Sequence, residues 1–151
     1  ILGRAGVTPL LDAPAGIDSP ALSPDGRYLA YRSWAGGKPE RYVTRYPSMD
    51  GRWLVARADS ACRWSADGKE LFYIEGPPYR LMVAPVQLTP VFSSGTPRAL
   101  FELAPIGVAP FRSFAVSPDG KRFAMVRGTG ADDRRRNIVV VEHWFEEFRK
   151  P

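Results

Sequence analysis

The stretch Ser23-Pro24-Asp25-Gly26 decides how this chain folds, and it lies at the centre of residues 21–31, ALSPDGRYLAY. Pro24 presets the first corner of a tight turn, Asp25 can bond the backbone two residues on, and Gly26 accepts a positive φ. Apolar residues stand on both sides of these four. The stretch is therefore predicted to form a β-hairpin.

The same hairpin recurs twice along the chain, as RWSADGKELFY at residues 63–73 and as AVSPDGKRFAM at residues 115–125. In the second copy Ala66 replaces the proline, but the turn is expected to survive because the aspartate and glycine remain. The turn aspartates are 42 and 52 residues apart. A period of about 40–50 residues is typical of the blades of a β-propeller. The residues expected to have this structural role are Asp25, Gly26, Asp67, Gly68, Asp119 and Gly120.

Further strands are predicted after each hairpin, at residues 41–46 and 53–57, 81–86 and 98–102, and 137–142. The strand after each turn is apolar on both faces, as expected for a strand between two neighbouring blades. Four strands per unit is what a blade requires. The predicted fold class is therefore all-β: a partial β-propeller of about three four-stranded antiparallel blades with a short C-terminal helix.

Residues 1–151 are expected to form a single propeller segment. Its predicted parts are an orphan outer strand of a preceding blade at 7–11, blades at 21–57 and 62–102, an incomplete blade at 113–142 and a terminal helix at 143–150. Closed propellers have about 4–8 blades, so three blades leave two apolar faces open, and such faces usually mark an interface. Either the chain is part of a longer protein, as its start without methionine favours, or two copies associate into a six-bladed ring.

The composition excludes several classes of protein. Among 151 residues there are 14 Gly and 15 Pro, which favours short elements joined by tight turns. Apolar runs reach four residues, whereas a membrane span needs about 20. The net charge is +5, but the basic residues are scattered except at 134–136, which follow two aspartates, so nucleic acid is not an expected partner. The single cysteine, Cys62, allows no disulfide within the chain.

The residues of most catalytic motifs are missing from this sequence. It has no Gly-rich phosphate loop with a partner lysine, no G-x-S-x-G elbow and a single histidine, His143. Asp132 and Asp133 are interpreted as a solvated acidic pair, and Cys62 as a buried strand residue. No catalytic, cofactor-binding or metal-binding residue is predicted. The expected function is therefore a non-catalytic module that binds a protein or senses a ligand.

Loops carry function on rigid scaffolds, so binding is expected at one loop rim. The loops of interest are 34–39, 76–80 and 128–136. Trp34 stands next to an Ala-Gly-Gly stretch and is predicted to be exposed, whereas Trp53, Trp64 and Trp144 are predicted to pack between blades. The candidate binding residues are Trp34, Tyr79, Arg134 and Arg135.

These hairpins resemble the TolB-like, WD-repeat-type propeller repeats with an SPDG turn. Beyond the turns, ERYVTRYP at 40–47, FSSGTPRALF at 92–101 and VVEHWFEEF at 140–148 resemble the C-terminal propeller domain of bacterial transmembrane serine/threonine protein kinases and of related propeller proteins without a kinase. The chain departs from that pattern at Ala58-Asp59-Ser60, where a glycine pair is common, and at His143, where asparagine is common.

The resemblance implies an interaction or sensor domain on the extracytoplasmic side of the membrane, and it assigns no catalytic residue to this chain. The expected partners are a protein or small ligand at the rim and the remaining blades of the parent chain or a second copy. The alternative is an accessory domain of an enzyme, either a serine/threonine protein kinase or a prolyl-oligopeptidase-type peptidase, whose catalytic domain is not in this chain.

Overall fold

The computed structural model describes residues 10–11, 16–58, 60–108, 114–128 and 136–142. In these ranges the chain forms three antiparallel sheets and a short 3-10 helix at Ala104–Ile106. The all-β partial propeller predicted from the repeat is thereby confirmed. Each sheet begins with one of the hairpins that the turn motif predicted.

The first sheet, blade 1, has four strands in sequence order: β1 (Ile17–Leu22), β2 (Tyr28–Ser33), β3 (Glu40–Arg45) and β4 (Trp53–Ala56). The sequence analysis placed the start of this blade at residue 21, but the sheet begins four residues earlier, at Ile17. The reason is that β1 continues past an irregularity between Asp18 and Ala21 to pair Ile17 with Ser33.

The second sheet, blade 2, has five strands: β5 (Cys62–Trp64), β6 (Glu70–Glu75), β7 (Arg80–Gln87), β8 (Ser93–Ser94) and β9 (Arg98–Glu102). β8 was not expected from the sequence. It exists because β7 is longer than its outer partner: β9 pairs with Arg80–Val83, and β8 pairs with the remaining end of β7 at Val86 and Gln87.

The third sheet, blade 3, comprises β10 (Ala115–Val116), β11 (Phe123–Gly128) and β12 (Arg136–Val141) within the described part of the chain. Of the predicted orphan strand at 7–11, only Leu10 and Leu11 are described, and they lie in no strand. The predicted helix at 143–150 lies outside the described residues.

Blade 2 is packed between the other two blades. On β6, Leu71 and Tyr73 join the core shared with blade 1, whereas Phe72 and Ile74 join the core shared with blade 3. Neighbouring residues of a strand point to opposite faces of its sheet, so this strand is buried on both sides. The run of four apolar residues in β6 is therefore explained by contact with a neighbouring blade on each face, as the sequence predicted.

Hydrogen bonds and aromatic side chains join blades 1 and 2. The Tyr28 hydroxyl donates to the Leu88 carbonyl at 2.9 Å, and the Trp64 Nε1–H donates to the Ala21 carbonyl at 2.9 Å. Trp53 and Trp64 both pack against the core between these blades, with the Phe92 ring 5.4 Å from that of Trp53. The prediction that these two tryptophans pack between blades is confirmed. Trp144 lies outside the described residues.

Candidate functional site: the loop rim

The three turn motifs close one and the same hydrogen-bond network. In each copy the serine hydroxyl donates to the Asp Oδ1, which also accepts the backbone N–H two residues on at 3.1 Å. The serine Oγ in turn accepts the backbone N–H of the residue that begins the next strand, or in the third copy of Arg122 just before it, at 2.9–3.0 Å. The glycines have φ of 69°, 71° and 69°, which an L side chain rarely adopts. The structure thus places these residues in turns.

These contacts lower the pKa of all three turn carboxyl groups below the ordinary value of 3.8. For Asp67 and Asp119 the main cause is the hydroxyl of Ser65 or Ser117, followed by the backbone N–H bond. For Asp25 partial burial pushes the pKa upward, but the bonds from Ser23 and Arg27 outweigh it. Hydrogen bonds to the charged form favour that form.

The fold is therefore expected to lose stability in acid through these turns. A carboxyl whose pKa is lower in the folded state stabilises the fold above its unfolded pKa, and the stabilisation is lost as pH falls through the folded pKa. Urea midpoints measured from pH 6 to pH 2 should fall below pH 4. A variant with Asn at all three positions should show a shallower fall. An equally steep fall in the variant would contradict this role.

The three Ser-x-Asp-Gly turns lie on one rim of the blades, which we call the turn rim. A Cβ added to Gly68 in the blade 2 turn would lie 3.7 Å from Pro24 Cδ in the blade 1 turn, and one added to Gly120 in the blade 3 turn would lie 4.0 Å from Glu70 Oε2, next to the blade 2 turn. Since the strands are antiparallel, the loops between the second and third strands of each blade lie on the opposite rim. We call this the loop rim. It carries residues 34–39 and 76–79, and it receives the ends of β11 and β12. The loop between those two strands, with Arg134 and Arg135, lies outside the described residues.

Trp34 is exposed on the loop rim, as the sequence predicted, with 37% of its surface accessible. Its carbonyl accepts the Gly37 N–H at 2.9 Å, and Gly37 has φ of 74°, so the tight turn needs this glycine. The Arg32 guanidinium lies 5.3 Å from the Trp34 ring centroid. Arg32 Nε also donates to Asp18 at 2.6 Å, and this bond is the main reason that the pKa of Asp18 is lowered.

Tyr79 is half-buried, and its ring packs against the core between blades 2 and 3. Its carbonyl accepts the Leu103 N–H at 2.9 Å. Tyr79 thus anchors its loop to the body of the blades and presents less surface to a partner than Trp34 does.

Sequence reasoning missed two arginine contacts on blade 1. Arg52 lies 3.7 Å over the Tyr42 ring, and Tyr42 stacks on Tyr31 with ring centroids 6.1 Å apart. The second contact is that of the Arg32 guanidinium with the Trp34 ring, two residues further along the chain. The available signal was an arginine within or beside an otherwise apolar strand, which usually indicates a specific partner.

Cys62 and Arg41 lie together between blades 1 and 2. Cys62 is fully buried, as the sequence predicted. Burial raises the pKa of its thiol, and this effect exceeds that of the positive charges of Arg41 and Arg63, which lower the pKa. The thiol is therefore protonated at neutral pH and is a poor nucleophile. Arg41 is 0% exposed, and none of its three guanidinium nitrogens makes a hydrogen bond of ordinary geometry to a described residue. The Cys62 sulfur and the Asp18 carboxylate lie near enough to stabilise its charge, but burial outweighs them and lowers the pKa of Arg41.

No helix in the part of the chain described by the structure is long and apolar enough to cross a membrane. Within the same ranges, no three His, Cys, Asp or Glu side chains converge as metal ligands would.

Among solved structures, the chain is similar to TolB from Acinetobacter baumannii, with 17% sequence identity and a TM-score of 0.47. The match covers 88% of this chain and 42% of the TolB chain, so this chain spans less than half the length of that protein. No family model matches the chain, and no curated protein matches it.

Proposed function

We propose that this chain is a non-catalytic protein-interaction module that binds its partner on the loop rim, around Trp34. The observation that carries the proposal is the exposure of this large aromatic ring on a rigid blade. A tryptophan held by a tight turn and by a neighbouring arginine loses little conformational entropy when a partner covers it. Exposed tryptophan and arginine are also the residue types that most often dominate the binding energy of an interface.

The chemistry of the turn rim supports a non-catalytic role. Each serine there is paired with one aspartate, and each pair stabilises a turn. The serine hydroxyl donates to the carboxylate and accepts a backbone N–H. The carboxylate that accepts each hydroxyl has a lowered pKa and is therefore a weak general base, whereas efficient base catalysis needs a pKa near the operating pH.

The resemblance of the sequence to kinase-linked propellers supports a finer proposal. The module belongs to a larger bacterial protein and acts as an extracytoplasmic sensor. In that setting the loop rim would receive a protein or ligand from outside the cell, and the other domains of the parent would respond.

Trp34→Ala is expected to weaken partner binding about 30-fold, the effect of losing about 2 kcal/mol at a central aromatic contact. The measurement uses peptides selected from a displayed random library against the full 151-residue chain. Their dissociation constants are then determined by fluorescence polarisation for each variant.

Val91→Ala is the matched control, because Val91 is an exposed apolar residue on the turn rim, with 47% of its surface accessible. Its substitution should change the dissociation constants less than twofold. Peptides that bind Trp34→Ala as tightly as the unchanged chain but lose affinity for Val91→Ala would place the binding surface on the wrong rim and overturn the proposal.

A further inference from the structure

Positive charge is concentrated around Trp34 on the loop rim of blade 1. The cationic side chains that lie there among the described residues are Arg32, Lys38, Arg41, Arg52 and Arg57. Arg52 precedes β4 at the other end of the blade, but its Nη2 lies 3.5 Å from the Ser33 Oγ, next to Trp34. The carboxylates at this rim are Asp18 and Glu40. Five cations and two carboxylates leave an excess of three positive charges among the described side chains of this rim.

Two of the cations are paired with the two carboxylates. Arg32 Nε donates to Asp18 Oδ1 at 2.6 Å, and Arg57 Nε lies 3.5 Å from Glu40 Oε1. The remaining cations are Lys38, Arg41 and Arg52. No carboxylate of the described ranges forms an ion pair with any of these three. Their positive charge is therefore left for a partner to offset.

The three remaining cations lie at different depths. Lys38 and Arg52 are exposed. Arg41 is 0% exposed and stands opposite Arg32 in the register of β2 and β3, so both guanidinium groups belong to the same face of the sheet. A buried charge is screened weakly by salt and water, so the field of Arg41 adds to that of the exposed cations. Trp34 is thus an exposed aromatic ring in a region of positive potential.

The neighbouring rims do not extend this positive region. On the turn rim of blade 1 the charged residues balance: they are Asp25, Arg27, Arg45 and Asp50. On the loop rim of blade 2 the ends of β6, β7 and β9 carry Glu75, Arg80 and Glu102. A region confined to one blade matches a short acidic peptide. A nucleic acid fits it less well, because its evenly charged backbone would also run over the carboxylates of blade 2.

We propose that the partner bound around Trp34 is an acidic peptide segment, whose carboxylates lie against Lys38 and Arg52 while an apolar side chain of the peptide covers the Trp34 ring. The inference rests on the proposed function, because it names the chemistry of the partner for that same site. Carboxylates of the peptide make the ion pairs that the described carboxylates of the chain do not make. Opposite charges on the two partners also speed up their encounter.

The first measurement uses peptides selected from a displayed random library against the full 151-residue chain. Compared with the unselected library, they should be enriched in Asp and Glu next to an aromatic or aliphatic residue. Fluorescence polarisation should show that the dissociation constant of such a peptide rises about 10-fold between about 50 and 500 mM NaCl, because salt screens exposed charges. Replacing the acidic residues of the peptide by their amides should weaken binding by at least about 10-fold.

Lys38→Glu is the variant that tests the charge of the chain, because Lys38 is exposed in a loop and its replacement should leave the fold intact. It should weaken binding of the acidic peptide about 10-fold, since one attraction becomes a repulsion. A peptide in which one Glu is replaced by Lys should regain affinity for this variant. Lys69→Glu is the matched control on the turn rim, where 79% of the lysine side chain is accessible, and it should change the dissociation constant less than twofold. Circular dichroism verifies that both variants are folded.

Two results would overturn the inference and leave the proposed function intact. The first is a set of selected peptides without enrichment in acidic residues, whose binding Trp34→Ala still weakens. The second is a set of acidic peptides whose affinity falls with Trp34→Ala but not with Lys38→Glu. Peptides that bind Trp34→Ala as tightly as the unchanged chain would instead overturn the proposed function, and this inference with it.

A single-stranded thymidine oligonucleotide of about 20 nucleotides is the last probe, because a polyanion also responds to positive charge. It should bind more weakly than the selected acidic peptides at about 150 mM NaCl. Tighter binding of the oligonucleotide, lost in Lys38→Glu and in Trp34→Ala, would overturn the acidic peptide as the partner and assign the loop rim to nucleic acid.

Discussion

Phe72→Ala is expected to lower the free energy of unfolding by about 3–5 kcal/mol, the cost of removing a large aromatic side chain from a packed core. Phe72 is 1% exposed, and its ring centroid lies 5.3 Å from that of Phe123 in the edge-to-face arrangement. The contact joins β6 of blade 2 to β11 of blade 3. Loss of the ring therefore leaves a cavity between two blades that the surrounding sheets cannot easily close. Urea unfolding followed by circular dichroism measures the effect.

A double-mutant cycle with Phe123→Ala assigns this cost to the contact between the blades. Edge-to-face aromatic pairs contribute about 0.5–1.5 kcal/mol beyond the area that they bury, so the two substitutions should be non-additive by at least that amount. Val91→Ala, at a residue that is 47% exposed and lies outside the strands, is the control and should change stability by less than about 0.5 kcal/mol. Strictly additive effects of the two phenylalanine substitutions would show that blades 2 and 3 do not stack through these rings.

Arg41→Leu is expected to stabilise the protein, by about 1–4 kcal/mol. Arg41 is fully buried, makes no hydrogen bond of ordinary geometry to a described residue, and its pKa is lowered by burial. A buried charge without such compensation costs several kcal/mol, which an apolar side chain avoids. The repeat itself supplies the replacement, because Leu81 stands at the corresponding position of blade 2, opposite Ile74 as Arg41 is opposite Arg32.

Arg57→Leu is the matched control for this substitution. Arg57 is also an arginine of blade 1, but its side chain is 77% exposed. Its Nε forms an ion pair with Glu40 Oε1 at 3.5 Å. Such a surface pair contributes little, so the change should stay within about 1 kcal/mol. If Arg41→Leu instead destabilised the protein by more than 1 kcal/mol, the guanidinium would have to be compensated by the neighbouring Cys62 sulfur or by Asp18.

Local sequence signals were reliable wherever short-range chemistry determines the structure. The Ser-x-Asp-Gly turns fold as predicted because their hydrogen bonds join residues no more than five positions apart. The burial of β6 on both faces followed from its apolar run, since four consecutive apolar residues leave neither face suited to water. The exposure of Trp34 followed from the small and flexible residues beside it.

Features that depend on contacts between distant segments could not be obtained in that way. β8 arises from the unequal lengths of β7 and β9, which no local pattern records. Tyr79 is held against a core that includes Phe123 of another blade. The burial of Arg41 beside Cys62 contradicts the preference of arginine for water, and only the packing of blade 1 on blade 2 explains it.

The sequence by itself determined the repeat, the hairpins and the all-β class, because a turn and its two flanking strands are specified by residues that are neighbours along the chain. Only the tertiary structure decided which side of each blade is covered, which rim carries Trp34 and which apolar faces no other described blade covers. Those properties depend on how separate sheets pack against one another, and the free energy of that packing comes from residues of different sheets, such as Tyr28 and Leu88, which are 60 positions apart.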